Sequence, residues 1–198
     1  MTTLMNAIST PSRELLQNAI VQSMSTIDFG KAMARNNELM QRDILRYCGI
    51  EAYDPETDAE CPAICTQNNS PGFDILVKTA EKNVRIQSKL RQVKGKTDFS
   101  QQVHFETTRR HSAKNIGTNS ADSGHIAYST DEFDYVMISL INVANDKILR
   151  HDVDRWSFSL VPVSALIHPE KGCCVTHIPA KTLEKYKFVP SPEDPPTF

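Results

Sequence analysis

Apolar and polar positions alternate most regularly from Gly72 to Arg91, GFDILVKTAEKNVRIQSKLR. Phe73, Ile75 and Val77 alternate with Asp74, Leu76 and Lys78. Beyond Ala80-Glu81-Lys82, the positions Val84, Ile86 and Leu90 alternate with Arg85, Gln87, Lys89 and Arg91. Successive side chains on a strand point to opposite faces, so the stretch predicts two strands joined by a tight turn, each with one apolar face. Upstream the spacing becomes helical. Ser12 to about Met24 predicts a helix behind Pro11, with Leu15, Leu16, Ala19 and Ile20 apolar. Asp28-Phe29-Gly30 reads as a break. Lys31 to about Tyr47 predicts a longer helix ending before Gly49, with Met33, Met40, Ile44 and Tyr47 near one stripe. Residues 51–71 are rich in Pro, Asp, Asn and Thr and predict a connection.

Downstream, Val103 to Arg109 predicts a third strand, followed by a long polar loop from Arg110 to Gly124. A loop of that length in a compact domain is functional or disordered. His125 to Tyr128 leads into a turn or helix start at Ser129-Thr130-Asp131-Glu132. Asp134 to Asn142 predicts a strong buried strand and Trp156 to Pro162 another, with Pro162 favouring a strand end or sheet edge. Val163 to Ile167 predicts a short helix, Gly172 to Ile178 a last short strand, and Ala180 to Tyr186 a helix. Val189 to Phe198 carries four prolines and reads as a flexible tail. Together these predict a single α/β domain over 1–198: a central mixed β-sheet of about five strands flanked by helices, with residues 1–50 supplying the N-terminal helices.

Composition changes this picture little. At 198 residues, 39% hydrophobic and 23% charged, the chain matches an ordinary globular domain with room for a sizeable core. No apolar run approaches the ~20 residues that span a bilayer, so a cytoplasmic protein with no membrane partner is the default expectation. Cys48, Cys61, Cys65, Cys173 and Cys174 are odd in number and sparse, which argues against a disulfide framework. Cys61 and Cys65 with Cys173-Cys174 make a poor zinc set, because adjacent cysteines rarely both bind one zinc; free thiols are the expectation. Charge matters more. The net charge is −2, yet Lys78 to Lys114 holds ten Lys/Arg against three Asp/Glu. A local basic field of that size suits phosphate. A solvated charged surface, the bland alternative, usually mixes signs.

The candidate chemistry sits on the hairpin. Gln87 and Lys89 share a face, and an even-numbered turn brings Asp74 to that face opposite Gln87 or Lys89. A carboxylate, a neutral carbonyl oxygen and an ammonium at one edge suit a divalent cation. The run Ser70-Pro71-Gly72-Phe73-Asp74, then Gln87-Ser88-Lys89, resembles the active-site signature of the PD-(D/E)XK nuclease superfamily, the restriction-endonuclease-like fold. There an Asp on one strand faces a (D/E)-x-K on the next. Here the Asp lies three residues after Pro71, and Gln87 fills the second acidic position, as in some type II restriction endonucleases.

The resemblance implies a metal-dependent DNA endonuclease, most like a sequence-specific type II restriction enzyme. It would act on double-stranded DNA as a homodimer, with Mg2+ as cofactor and Mn2+ as a substitute. It implies catalytic roles for Asp74, Gln87 and Lys89, with Asp74, Gln87 and a helix carboxylate, carried onto Glu38, as metal ligands. The alternative for Glu38 is a surface ion pair with Arg42. Asp134, in an acidic turn before an apolar strand, reads as structural. Arg91, Lys94, Lys96, Arg109, Arg110, His111, Lys114 and Asn115 are the candidate DNA contacts. Three other readings share the pattern: a homing or repair nuclease of the same fold, a nucleic-acid-binding module without catalysis, and a plain interaction protein.

Overall fold

The computed structural model describes residues 26–62, 73–93, 108–110, 125–142, 156–175 and 177–198. The helix expected over 12–24, most of the expected 103–109 strand and the 111–124 part of the polar loop lie outside the described residues. So do Cys65, Lys94, Lys96, His111, Lys114 and Asn115.

Helix α1 runs Thr26–Tyr47 and is continuous through the Asp28–Gly30 stretch expected to break it. It ends where the sequence says it should. Gly49 takes φ +81, its N–H donates to the Arg46 carbonyl at 2.9 Å, and the Ile50 N–H donates to the Leu45 carbonyl at 3.0 Å. This is a Schellman close, which needs a left-handed residue after the helix, and glycine adopts that conformation without a Cβ penalty.

The chain then forms strands β1 (Ala52–Tyr53), β2 (Ile75–Lys78) and β3 (Asn83–Val93). After these come β4 (Thr108–Arg110), β5 (His125–Ala127), β6 (Tyr135–Asn142) and β7 (Ser157–Pro162). A 3-10 turn at Val163–Ala165, helix α2 (Ala180–Lys185) and strand β8 (Lys187–Phe188) complete the fold. The central sheet has six strands in the order β1-β2-β3-β6-β7-β8. It is mixed: β3 and β6 are parallel, and the other pairs are antiparallel. The α/β class and the mixed sheet agree with expectation.

Three details differ. The edge pair β1–β2 exists because residues 52–53 of the expected connection align with Val77 and Leu76. The stretch Gly172–Ile178 is not a strand; it contributes an isolated bridge, Cys174 to Ile167, and the last strand is β8. Arg109 and Arg110 pair with Ile126 and His125 in a separate two-stranded sheet, so their strand is not part of the hairpin's sheet.

The sheet is buried on both faces. One face packs Ile75, Val77, Val84, Ile86, Met137, Phe158 and Leu160 against Met40, Ile44 and Leu45 of α1. The other gathers Val136, Ile138, Leu140 and Val161 with Phe133, Leu166, Ile178 and Leu183. Covering both faces explains why β6 is a near-continuous apolar run, broken at Ser139, rather than an alternating one. Leu76, on the nominally polar side of β2, is buried against Cys61 with Tyr53 and Phe73 packed around them. At the far end, Phe198 of the expected tail packs edge-on against Tyr135, ring centroids 5.4 Å apart.

Candidate active site

The hairpin turn spans Thr79 to Lys82, and its even length sets the register expected from the sequence. Ile75 stands opposite Ile86 and Val77 opposite Val84. Asp74 lies one residue before β2, in a bend, with its N–H donating to the Ile86 carbonyl at 2.9 Å. It therefore continues the register to face Gln87. The Gln87 side-chain NH2 donates to Asp74 Oδ2, and the Ser88 backbone N–H donates to the same oxygen at 2.7 Å. Among the described residues no donor reaches Asp74 Oδ1. A half-turn of the Gln87 carboxamide exchanges its NH2 and its oxygen, so the position offers either a donor or an acceptor.

Burial pushes the Asp74 carboxyl above its ordinary pKa, while the Ser88 N–H and the Lys89 charge draw it back down. Glu38, on α1, is pushed up to about 7 by burial and by the neighbouring Asp74 charge, against the pull of Arg35. Glu38, on the helix, thus feels the Asp74 charge at this corner of the strand edge. The expected Glu38–Arg42 pair does not form. Arg35 binds Glu38 at 2.8 Å and also Asp54 at 2.8 Å, while Arg42 is committed to Asp43 and Asp58.

The platform beneath this corner is polar and buried. Asn37 Nδ2 donates to Ser88 Oγ at 2.7 Å, tying α1 to the residue whose N–H holds Asp74. Gln41 Nε2 donates to Ser139 Oγ at 2.8 Å and to the Met137 carbonyl at 3.1 Å. These bonds fix α1 on the sheet at one rotation and so aim Glu38. Behind Arg35, Asp54 accepts the backbone N–H groups of Glu56 and Thr57 at 2.8 and 2.9 Å, a turn that fixes its carboxylate.

Lys89 follows on the Gln87 face. Its ammonium donates to the Tyr128 hydroxyl at 2.8 Å and lies 4.9 Å from the ring centroid. Arg91, two residues further on, is exposed. Two members of the basic stretch are committed elsewhere. Arg85 grips Asp134 through Nε at 3.1 Å, and Lys78 pairs with Glu51 at 3.1 Å. Asp134 is therefore structural, as its place in the turn suggested, and Arg85 holds its carboxyl below the usual range against the cost of burial.

The structure thus gathers Glu38, Asp74, Gln87 and Lys89. It adds Arg35, Asp54, Ser88 and Tyr128, which sequence spacing did not mark. Among the described residues no three His, Cys, Asp or Glu side chains form a metal cluster. Cys48, Cys173 and Cys174 form no disulfide among the described residues. Among the described residues no helix is long and apolar enough to cross a membrane.

No family model matches the chain, and no curated protein matches it in sequence. Among solved structures, a bacterial homing endonuclease is similar at 14% identity and a TM-score of 0.42, over 78% of this chain and 78% of that one. At that score the likeness decides nothing about chemistry, which rests on the side chains themselves.

Proposed function

We propose that this protein is a Mg2+-dependent DNA endonuclease, a type II restriction enzyme acting as a homodimer on duplex DNA, with Mn2+ able to replace Mg2+. The observation that supports the reading is the half-buried carboxyls Glu38 and Asp74, with Gln87 bonded to Asp74 and Lys89 on the Gln87 face. Desolvation hinders ionisation of both, and the Asp74 charge hinders that of Glu38 further, a cost that a hard dication would relieve, so the donor set fits Mg2+. Asp74, Glu38 and the Gln87 carbonyl oxygen would hold it. Bound there, the cation would polarise a phosphodiester and acidify a bound water.

The protein's own groups supply the rest. The Ser88 N–H fixes Asp74, and Arg35 fixes Glu38. Lys89 would orient the attacking water or meet the negative charge that develops on the phosphate. Arg91, Lys94, Lys96, Arg109, Arg110, His111, Lys114 and Asn115 would contact DNA. The homodimer and the restriction role rest on the signature's resemblance to type II enzymes.

The test is digestion of phage DNA with Mg2+. Discrete bands are expected, and Asp74→Ala and Lys89→Ala should each lose activity, on the order of 10²–10⁴-fold. Both variants should still bind duplex in Ca2+. If both cut at the wild-type rate, the site assignment is wrong. Cutting confined to a rare, long target would move the protein to the homing class. Binding by the wild type with no cleavage in Mg2+ or Mn2+ would make it a non-catalytic module.

A further inference from the structure

Lys89 carries the most exacting role in the proposed chemistry, and its side chain is the least suited to hold a position. A flexible four-carbon stem with a compact ammonium has much rotamer freedom to lose. Something must hold it in place. Tyr128 is the described side chain that hydrogen-bonds the ammonium. Nothing in the local sequence marks this residue, which stands 39 positions away in a polar stretch.

Tyr128 is itself held on several sides. It is 5% exposed. Its ring meets Phe133 edge-on, centroids 5.3 Å apart at 78°. Its carbonyl accepts the Cys174 N–H at 2.9 Å, and Cys174 is buried in the same apolar cluster. A buried phenol hydroxyl needs a polar partner. Here it meets the ammonium of a candidate catalytic residue rather than a backbone group of its own cluster. The ring centroid at 4.9 Å adds a weaker hold through its π face.

We propose that Tyr128 is a positioning residue for Lys89: its hydroxyl, anchored in the apolar layer beyond β6, fixes the ammonium toward Asp74. This rests on the nuclease reading above. The phenol takes no part in bond making; it spares Lys89 the search for its working rotamer. Misplacement of a catalytic group by about 1 Å costs on the order of 100-fold in rate.

The experiment is single-turnover cleavage and steady-state kinetics of wild type, Tyr128→Phe, Tyr128→Leu and Lys89→Ala on one cognate duplex, with melting temperatures. Tyr128→Phe keeps the ring and removes only the hydroxyl. Its kcat should fall on the order of 10–100-fold, with KM for DNA unchanged and melting lowered by no more than about 3 °C. Tyr128→Leu should lose at least as much rate. Wild-type kcat in Tyr128→Phe would overturn the inference and leave the nuclease reading standing. A fall in kcat matched by a collapse in melting temperature would assign Tyr128 to the core and overturn it too. If wild type and Lys89→Ala are equally inert on every duplex, the nuclease reading fails, and this inference fails with it.

Discussion

Gln87 is where the site departs most from an all-acidic pattern, and its partner makes the departure testable. The carboxamide donates to Asp74 Oδ2 and thereby shields a half-buried carboxylate. Gln87→Glu would set a second carboxylate against Asp74, so one of the two would hold its proton to higher pH. That variant should keep some cleavage but need more alkaline buffer or more Mg2+. Gln87→Leu removes both the donor and the potential ligand oxygen, and cleavage should drop at least 100-fold, in the range of lost general acid–base groups. Full activity in the Leu variant would remove Gln87 from the site. Glu38 makes a separate prediction. Its carboxyl titrates at about 7 in the fold against an ordinary 4.5. A raised carboxyl favours the fold while protonated, so its contribution is complete below pH 4.5 and is lost as pH rises through 7. Without metal, melting temperature should therefore decline across that window. Mg2+ should bind more tightly with rising pH, releasing up to about one proton near pH 6–7. Calorimetry in two buffers of different ionisation enthalpy reads that proton directly; pH-independent affinity would return Glu38 to an ordinary ion pair with Arg35.

The closing glycine of α1 supplies a stability test away from the chemistry. Gly49 has φ +81, and nothing lies within 4 Å of the point where a Cβ would stand, so Gly49→Ala meets backbone strain and no steric clash. The cost should be about 1 kcal/mol, or a fall of roughly 2–4 °C in melting. An unchanged melting curve would mean that the Schellman close contributes nothing. This glycine was legible from the sequence because helix ends carry local signals. So was the hairpin: a period of two with an even turn puts Asp74 on the face of Gln87 and Lys89, and the observed register chooses Gln87 as its partner. What the sequence concealed was non-local. Arg35, rather than Arg42, reaches Glu38, because Arg42 is drawn to Asp58 in a turn that reads as a plain connection. Ala52–Tyr53 is too short to carry a period, yet it pairs with β2. Tyr128 meets Lys89 across 39 positions, which no spacing rule announces.

At the scale of the whole molecule, the uneven charge matters if the proposed substrate is DNA. Arg85 and Lys78 pair with Asp134 and Glu51, so phosphate contacts would fall to Lys82, Lys89, Arg91 and the basic residues beyond them. If Arg109 and Arg110 touch phosphates, removing either should flatten the slope of log affinity against log salt by about one unit. If one reads a base instead, its loss should relax preference at one base pair by roughly 1–3 kcal/mol. Affinity against salt on cognate and scrambled duplexes separates these outcomes, and wild-type behaviour in both variants would place recognition elsewhere in the chain.

The parallel pairing of β3 with β6 has a further consequence for how freely this sequence can drift. A strand tolerates no change of frame: inserting one residue after Ile86 would turn Gln87 and Lys89 to the α1 side and bring alternate residues to the site. The segment joining Val93 to Tyr135 obeys a different rule. Its closure cost grows only logarithmically, by about 0.6 kcal/mol for each doubling of length. Length can therefore be added there at little thermodynamic cost while the frame of β3 stays locked, provided Tyr128, Phe133 and Asp134 keep their places. If the proposed DNA contacts lie in that segment, they can change while Asp74, Gln87 and Lys89 stay untouched.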